Sequence, residues 1–381
     1  MRVLNVNSSI DLRSGGGTAE RTCQMSRALA LEGATCTVLT LDIGLDAARI
    51  ESVRPATVVT LACLWRRFYV PRGGWRTISQ LVKDADVVHL MGHWSVLNAL
   101  VYVAALRAGK HYVACPAGAL PLFGRSAWLK RAYNFFVGSA IIRNASAWIA
   151  VTASEFPHFE AYGVGASKVT VIPNGVKEVD PLSVSRSGFL ASTSLPDAPF
   201  ILFMGRLNPI KGPDLLLEAF VLVSDCLRDH QLVFAGPDGG MLAELCTRAE
   251  HCGLADRVHF LGHVDGEIKT GAYRFARLLV VPSRQEAMSI VALEAGICGT
   301  PVLLTDQCGF DEIAAVDHRL VVPATSEGLA AGLLNLLENT DDLEQIGPRI
   351  NAFVQSKYAW TTIITQYTDL YRRIIGAGPS S

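Results

Sequence analysis

"NGVKEVDPLSVSRSGFLASTSLPDAP", Asn174 to Pro199, has no apolar period and is rich in Ser, Pro and Gly. A stretch of this kind reads as the end of one domain and a linker to the next. What lies on either side has the same character. Before it come "RVLNVN", "ATCTVLTL", "DVVHLM", "HYVACP", "AWIAVT" and "KVTVIP"; after it come "PFILFMG", "QLVFAG", "RVHFLG", "RLLVVPS", "TPVLLT" and "RLVVP". These short β-branched runs alternate with longer helical patterns, and each set predicts a parallel sheet with helices on both faces. The expected organisation is an N-terminal α/β domain over residues 1–178, a linker at 179–198, a second α/β domain over 199–356 and a C-terminal helix and tail at 357–381. Open sheets of this kind bind ligands beyond the carboxyl ends of their strands, which directs attention to the loops there and to a cleft between the domains.

Composition agrees with a globular chain. Of 381 residues, 50% are hydrophobic and 18% charged, enough to bury two cores. The nine cysteines form no C-x-x-C pair and most sit in apolar runs, so they read as free thiols in a reducing compartment, with neither disulfides nor a zinc site. The N-terminus enters a strand-like run without signal-peptide architecture, an expectation of cytoplasmic residence. Val87 to Leu106 lacks Lys, Arg, Asp and Glu and has the length of a membrane span. It divides into a strand, a polar break and a helix ended by glycine, and a buried strand–loop–helix unit is the expected outcome.

Three loops carry candidate chemistry. After the first strand, "SSIDLRSGGGTAERTCQM" has glycines at 15, 16 and 17 but Glu20 in place of the last glycine of a dinucleotide fingerprint, which argues against a dehydrogenase. Glycines before a helix let backbone N–H groups approach an anion, and Gly16 and Gly17 are the candidate donor contacts; a plain flexible turn is the other reading. In "FMGRLNPIKGPDLLLEAF", Arg206 and Lys211 stand on a loop beyond a strand and suit a diphosphate. Alone, they read equally as solvated surface cations. In "SRQEAMSIVALEAGICGTP", seven residues separate Glu286 from Glu294, which alone is the pattern of an ordinary helix face.

Taken together, "GRLNPIKG", "VIPNGV", "FLGHV" and "EAMSIVALEAGICGTPVL" resemble the retaining glycosyltransferases of family 4, nucleotide-sugar-dependent enzymes of the GT-B architecture. The resemblance runs over nearly the whole chain. It implies two Rossmann-like domains facing across a cleft, with the C-terminal helix "YAWTTIITQYTDLYRRII" crossing back to the first. It implies that Glu286 meets hydroxyls of the donor sugar and Glu294 those of the ribose. The amides of Met288, Ser289 and Ile290, at a helix N-terminus, would face the diphosphate with Arg206 and Lys211. Val264, ending "FLGHV", joins the donor contacts. No metal or other cofactor is expected, because cations and helix take the part of charge compensation. The catalytic set is Glu286, Arg206, Lys211 and His93.

Two departures from the family stand out. Ala287, Met288 and Ser289 replace a Gly-Phe-Gly common after the first Glu, which puts the identity of the sugar in question. Ala117-Gly118 replaces a His-Gly pair, so the chain manages without that His or uses His93, for which a packed loop histidine is the other reading.

The expected acceptor is a glycan or lipid-linked glycan in cell-surface polysaccharide or lipopolysaccharide synthesis. Residues 1–180 hold 19 Lys and Arg against 12 Asp and Glu, net +7, and residues 181–381 hold 15 against 23, net −8. "LWRRFYVPRGGWR" and "FGRSAWLKRAYNFF" interleave cations with aromatics, a pattern suited to peripheral contact with an anionic membrane on the inner face of the plasma membrane, or to ordinary faces with buried aromatics. No nucleic-acid module is recognised. A sugar-nucleotide epimerase on the same fold and a non-catalytic sugar-nucleotide-binding protein are the rival functions.

Overall fold

The structure is a computed structural model that describes residues 1–122, 127–179, 183–338 and 340–376. The first four residues of the stretch "FGRSAWLKRAYNFF", three residues of the expected linker and the tail from 377 lie outside the described residues. The chain divides into two compact units, Met1–Gly175 with Trp360–Ser381, and Val176–Ala359.

The first unit is built on β1 (Arg2–Val6), β2 (Thr35–Leu41), β3 (Thr57–Leu61), the short hairpin β4 (Cys63–Trp65) and β5 (Val70–Pro71), then β6 (Val87–Met91), β7 (Tyr112–Cys115), β8 (Ala147–Ala150) and β9 (Val169–Val171). Seven of these form one parallel sheet in the order β3-β2-β1-β6-β7-β8-β9. Alternation along each strand assigns side chains to two cores. Leu4, Val6, Leu39, Leu41, Val88 and Leu90 enter one, whereas Val3, Cys36, Val38, Val87 and Met91 enter the other. Strand and helix Val96–Ala108 occupy the stretch that has the length of a membrane span, as the polar break at "GHW" indicates.

The second unit comprises β10 (Phe200–Met204), β11 (Gln231–Ala235), β12 (Val258–Gly262), β13 (Leu278–Val281), β14 (Val302–Thr305) and β15 (Val321–Val322). They form a parallel sheet in the order β12-β11-β10-β13-β14-β15. In both sheets the strand order reverses beside the first strand of the unit, and the loops that follow such strands are where ligands bind.

The expected boundaries need correction. The expected linker 179–198 contains a helix, Arg186–Thr193, whose Ser185 accepts from the Gly188 amide at 3.1 Å. Its Phe189 is buried against helix Gly266–Phe275, where a β-carbon on Gly271 would stand 2.7 Å from the Phe189 ring. The segment is therefore part of the second unit, and the chain changes unit at 175/176 and 359/360.

The C-terminal helix Trp360–Gly376 packs on helix Leu12–Leu31 of the first unit, as expected. Its apolar face supplies Ile363, Ile364, Tyr367, Leu370 and Tyr371 to the core shared with Val3 and Val38. Two polar anchors are buried there. The Arg21 guanidinium donates to Asn174 Oδ1 at 2.7 Å, to the Ile172 carbonyl at 2.7 Å and to Tyr367 Oη at 2.5 Å. His89 Nδ1 lies 2.6 Å from Tyr371 Oη.

Removing the Tyr371 hydroxyl leaves a buried imidazole nitrogen without its partner, so Tyr371→Phe should cost about 1–3 kcal/mol in urea or thermal unfolding. Burial, and then the charge of Arg21, pushes His89 down to about 3. An unfolded histidine titrates near ~6.5, so the folded chain binds fewer protons. Stability should be full above that value and fall as the pH drops from about 6.5 toward about 3, with a shallower fall in His89→Gln. Equal slopes in both chains would show that His89 does not titrate on unfolding.

Candidate functional site

The second unit brings together the loops after β10, β13 and β14. Gly212, at φ 66°, opens helix Pro213–Val223, and a β-carbon there would stand 2.1 Å from the Pro282 carbonyl oxygen. Only glycine permits both that conformation and that approach. Just before it, the Lys211 amide is held by Asn208 Oδ1 at 3.0 Å. Arg284, a residue with no signal in the sequence, staples the two loops. Its guanidinium donates to both Asp214 oxygens, at 2.9 and 2.5 Å, and to the Pro209 carbonyl at 2.7 Å, while its amide donates to Ile210 O at 2.8 Å. Such a two-pronged pair fixes angle as well as distance.

The consequence is that Lys211 and Glu286, 75 positions apart, meet: Lys211 Nζ lies 2.7 Å from Glu286 Oε1. Ser283 Oγ donates to the same oxygen at 2.5 Å. Both partners converge on Oε1, which leaves Oε2 to accept from a hydroxyl outside the protein. The Glu286 backbone is pinned by its amide, which donates to Gln307 O at 2.9 Å. Arg206 stands one residue beyond β10, after Gly205, and is half-buried beside Gly239.

Helix Ile290–Ile297 begins after Ser289, whose side chain accepts from the Ala292 amide at 3.4 Å. Its opening amides have no acceptor inside the helix, by the geometry of any helix start. The expected trio of amides needs one correction: the Ser289 amide donates to Cys308 O at 3.1 Å, so it is committed to the protein. Met288 is buried, Ile290 is the first helical residue, and Val264 is buried in the loop between β12 and helix Gly266–Phe275.

Glu294 is the fifth residue of its helix, a little over one turn inside it. Lys269 Nζ donates to its Oε1 at 2.7 Å and Tyr273 Oη to its Oε2 at 2.7 Å. Burial, and then the Glu294 charge, raise Tyr273 well above the ordinary phenol range, so it serves as a hydroxyl donor. Neither residue stood out in the sequence, although their i, i+4 spacing places them on one helix face. Each Glu294 oxygen accepts one bond and has capacity for a second, the requirement for gripping a vicinal diol.

In the first unit, the run Leu12–Leu31 is two helical stretches that meet at Gly16, whose φ 55° and ψ −143° are non-helical, so Gly16 stands just before the longer stretch, as expected of glycines that open a helix. A β-carbon on Gly16 would meet nothing within 4 Å, so the backbone there is open; Gly17 follows in the helical run. His93 is buried. Its Nε2 lies 3.0 Å from Asn134 Oδ1, and the rings of Trp94, Tyr133 and Tyr162 meet it edge-on. Burial pushes its imidazole down to about 4. The packed reading of His93 describes this placement.

The second of the two Rossmann-like units thus gathers two carboxylates, each paired with a lysine, around a helix start. Residues 16–175 match the "Glycosyl transferase 4-like domain" and residues 190–352 match "Glycosyl transferases group 1". The chain belongs to the family 4 glycosyltransferases, with the GT-B fold. D-inositol 3-phosphate glycosyltransferase 2 of Catenulispora acidiphila is 33% identical over 227 residues, 56% of this chain and 52% of that one. The chain thus spans about half the length of the curated relatives it matches. Among solved structures, Anabaena HepE in complex with UDP and glucose is 20% identical with a TM-score of 0.77, covering 98% of this chain and 100% of that one. Sucrose-phosphate synthase from Thermosynechococcus elongatus is 22% identical with a TM-score of 0.74, covering 99% and 100%.

Because the two carboxylates have different partners, they should fail differently. Glu294→Gln and Lys269→Ala should weaken nucleoside-diphosphate affinity by about tenfold to a hundredfold, the size of a lost charged hydrogen bond of roughly 1.5–3 kcal/mol. Glu286→Gln should leave that affinity nearly intact and lower kcat by a similar factor. Calorimetry beside steady-state kinetics checks both, and equal behaviour of the two Glu variants would contradict the assignment.

Proposed function

We propose that the chain is a retaining glycosyltransferase that moves a hexosyl unit from a UDP- or GDP-linked donor to a glycan or lipid-linked glycan acceptor, in the synthesis of cell-surface polysaccharide or lipopolysaccharide. The observation that carries the reading is the Lys211–Glu286 contact at 2.7 Å, which sets a cation and a carboxylate side by side next to a helix start. The HepE structure of the same fold is a complex with UDP and glucose, which favours UDP of the two bases.

In this reading the donor diphosphate lies against Lys211, Arg206 and the opening amides of Ile290–Ile297. Lys211 then divides its charge between phosphate and Glu286, whose Oε2 accepts from a sugar hydroxyl. Glu294, oriented by Lys269 and Tyr273, accepts from the ribose. Transfer proceeds on one face of the sugar: the acceptor oxygen forms the new bond to the anomeric carbon as the bond to the diphosphate oxygen breaks, and that departing oxygen takes the acceptor's proton. Orientation and stabilisation of the leaving diphosphate supply the catalysis. His93 enters only through Nδ1, the ring atom without a hydrogen-bond partner among the described residues.

The chain incubated with UDP- and GDP-hexoses should release nucleoside diphosphate, slowly to water and faster to a glycan acceptor, with the donor's anomeric configuration kept in the product by NMR. Turnover should persist in chelator. Inverted product, or activity abolished by chelator and restored by magnesium or manganese, would contradict the mechanism. Epimer formation would point to an epimerase, and binding without turnover to a sensor.

A further inference from the structure

Between Ser52 and Ser154 the chain carries twelve Lys and Arg against two acids, Asp84 and Asp86, a net +10 in a protein whose overall charge is −1. From Val87 to Ser154 no Asp or Glu occurs. This stretch supplies the hairpin β4/β5, helices Trp75–Asp84 and Val96–Ala108, and the helical segment from Ala127 to Arg143, which includes a π turn at Asn134–Gly138. These elements pack on the sheet face formed by Leu4, Leu39, Val88 and Leu90, whereas the C-terminal helix packs into the core of the opposite face. Most of the described cations of this stretch ride on these elements, so positive charge is gathered on that side of the first unit.

The same side presents apolar groups to solvent. Leu64 is 65% exposed, Trp65 57%, Trp128 70%, Phe135 84% and Phe136 79%, and Trp75 and Leu106 are exposed as well. Among the described residues, every exposed Trp or Phe lies in this stretch. The exposure is anchored. In the π turn, Asn134 reaches inward to His93 Nε2 and, at 2.7 Å, to Tyr162 Oη, while Phe135 and Phe136 stand outward with ring centroids 5.2 Å apart. The Arg107 guanidinium lies over the Trp75 ring at 5.1 Å, which joins the two helices that carry them.

We infer that this face binds the headgroup region of an anionic lipid bilayer. The inference goes beyond glycosyl transfer and does not rest on it. A cation-rich surface is drawn to an anionic leaflet, and Trp and Phe set among those cations settle at the headgroup boundary. Leu64 and Leu106 suit an acyl boundary and offer no face on which a nucleic-acid base would stack. Among the described residues no helix is long and apolar enough to cross a membrane.

The test is co-sedimentation of the purified full chain with phosphatidylcholine vesicles, with and without phosphatidylglycerol at about one third of the lipid. Runs at about 50 mM and about 500 mM salt separate electrostatic from apolar contributions. Binding is expected on the anionic vesicles at low salt, and should be at least about tenfold weaker on phosphatidylcholine alone or at high salt. Phe135→Ser with Phe136→Ser, and separately Arg66→Glu with Arg67→Glu, should each weaken it about tenfold or more. All four side chains are surface groups, so an unchanged unfolding midpoint shows that the variants fold. Absence of binding to anionic vesicles at low salt would overturn the inference, as would equal binding to both vesicle types. So would variants that bind like the parent, or a surface that ignores vesicles and instead drives self-association or binding to duplex DNA.

Discussion

A β-carbon on Gly212 would stand 2.1 Å from the carbonyl oxygen of Pro282, and one on Gly309 would stand 2.0 Å from that of Ala287. These two approaches press the loops after β10 and β14 against the loop after β13, and the site of the second unit depends on them. Lys211 reaches Glu286 because its loop is held one backbone width from Pro282. Glu286 is fixed in turn because the segment Glu286–Ser289 lies against the loop 307–309, with its amides on the Gln307 and Cys308 carbonyls and the Ala287 carbonyl against Gly309. Any side chain at either glycine would push these loops apart and break the 2.7 Å pair. The Arg284–Asp214 fork then holds the register of what the glycines bring together.

Both acidic groups of the site thus meet a lysine within their own unit, Glu286 with Lys211 and Glu294 with Lys269. Such pairing has a physical use. A carboxylate at a partly buried position is costly unless its charge is met, and one held by a lysine and a hydroxyl keeps a defined orientation. The first unit meets a similar problem without acids. Its buried Arg21 donates to a carbonyl, a side-chain amide oxygen and a phenol, and its buried His89 meets another phenol, these partners coming from Ile172, Asn174 and the C-terminal helix. A helix with only apolar contacts can slide along its neighbour, whereas these bonds form at one register.

The sheets were legible because buried parallel strands appear as short apolar runs, and twelve such runs account for most of both sheets. Strand β3, Thr57–Leu61, escaped: it lies at the sheet edge, where Thr57 and Thr60 are exposed, Val58 and Val59 half-buried and only Leu61 buried. The helix Arg186–Thr193 escaped because six of its eight residues are Arg, Ser, Gly, Ala or Thr and its packing rests on one buried residue, Phe189. At the site, Glu286, Glu294, Arg206 and Lys211 were readable from local motifs. Arg284, Lys269 and Tyr273 were not, since what gives them a role is contact with residues 21 to 70 positions away. His93 shows the same limit from the other side. Its motif next to Gly92 reads as an open loop, yet the aromatic neighbours that enclose it come from positions 133 and 162.

The most direct measurement is a crystal structure of the chain with a nucleoside diphosphate. Phosphate oxygens should lie within hydrogen-bond distance of Lys211 Nζ and of the opening amides of Ile290–Ile297, with the ribose hydroxyls on Glu294 and the Lys269 and Tyr273 contacts to Glu294 retained. A nucleotide bound elsewhere, or bound in this unit with its ribose turned away from Glu294 and its phosphates away from Lys211, would contradict this assignment.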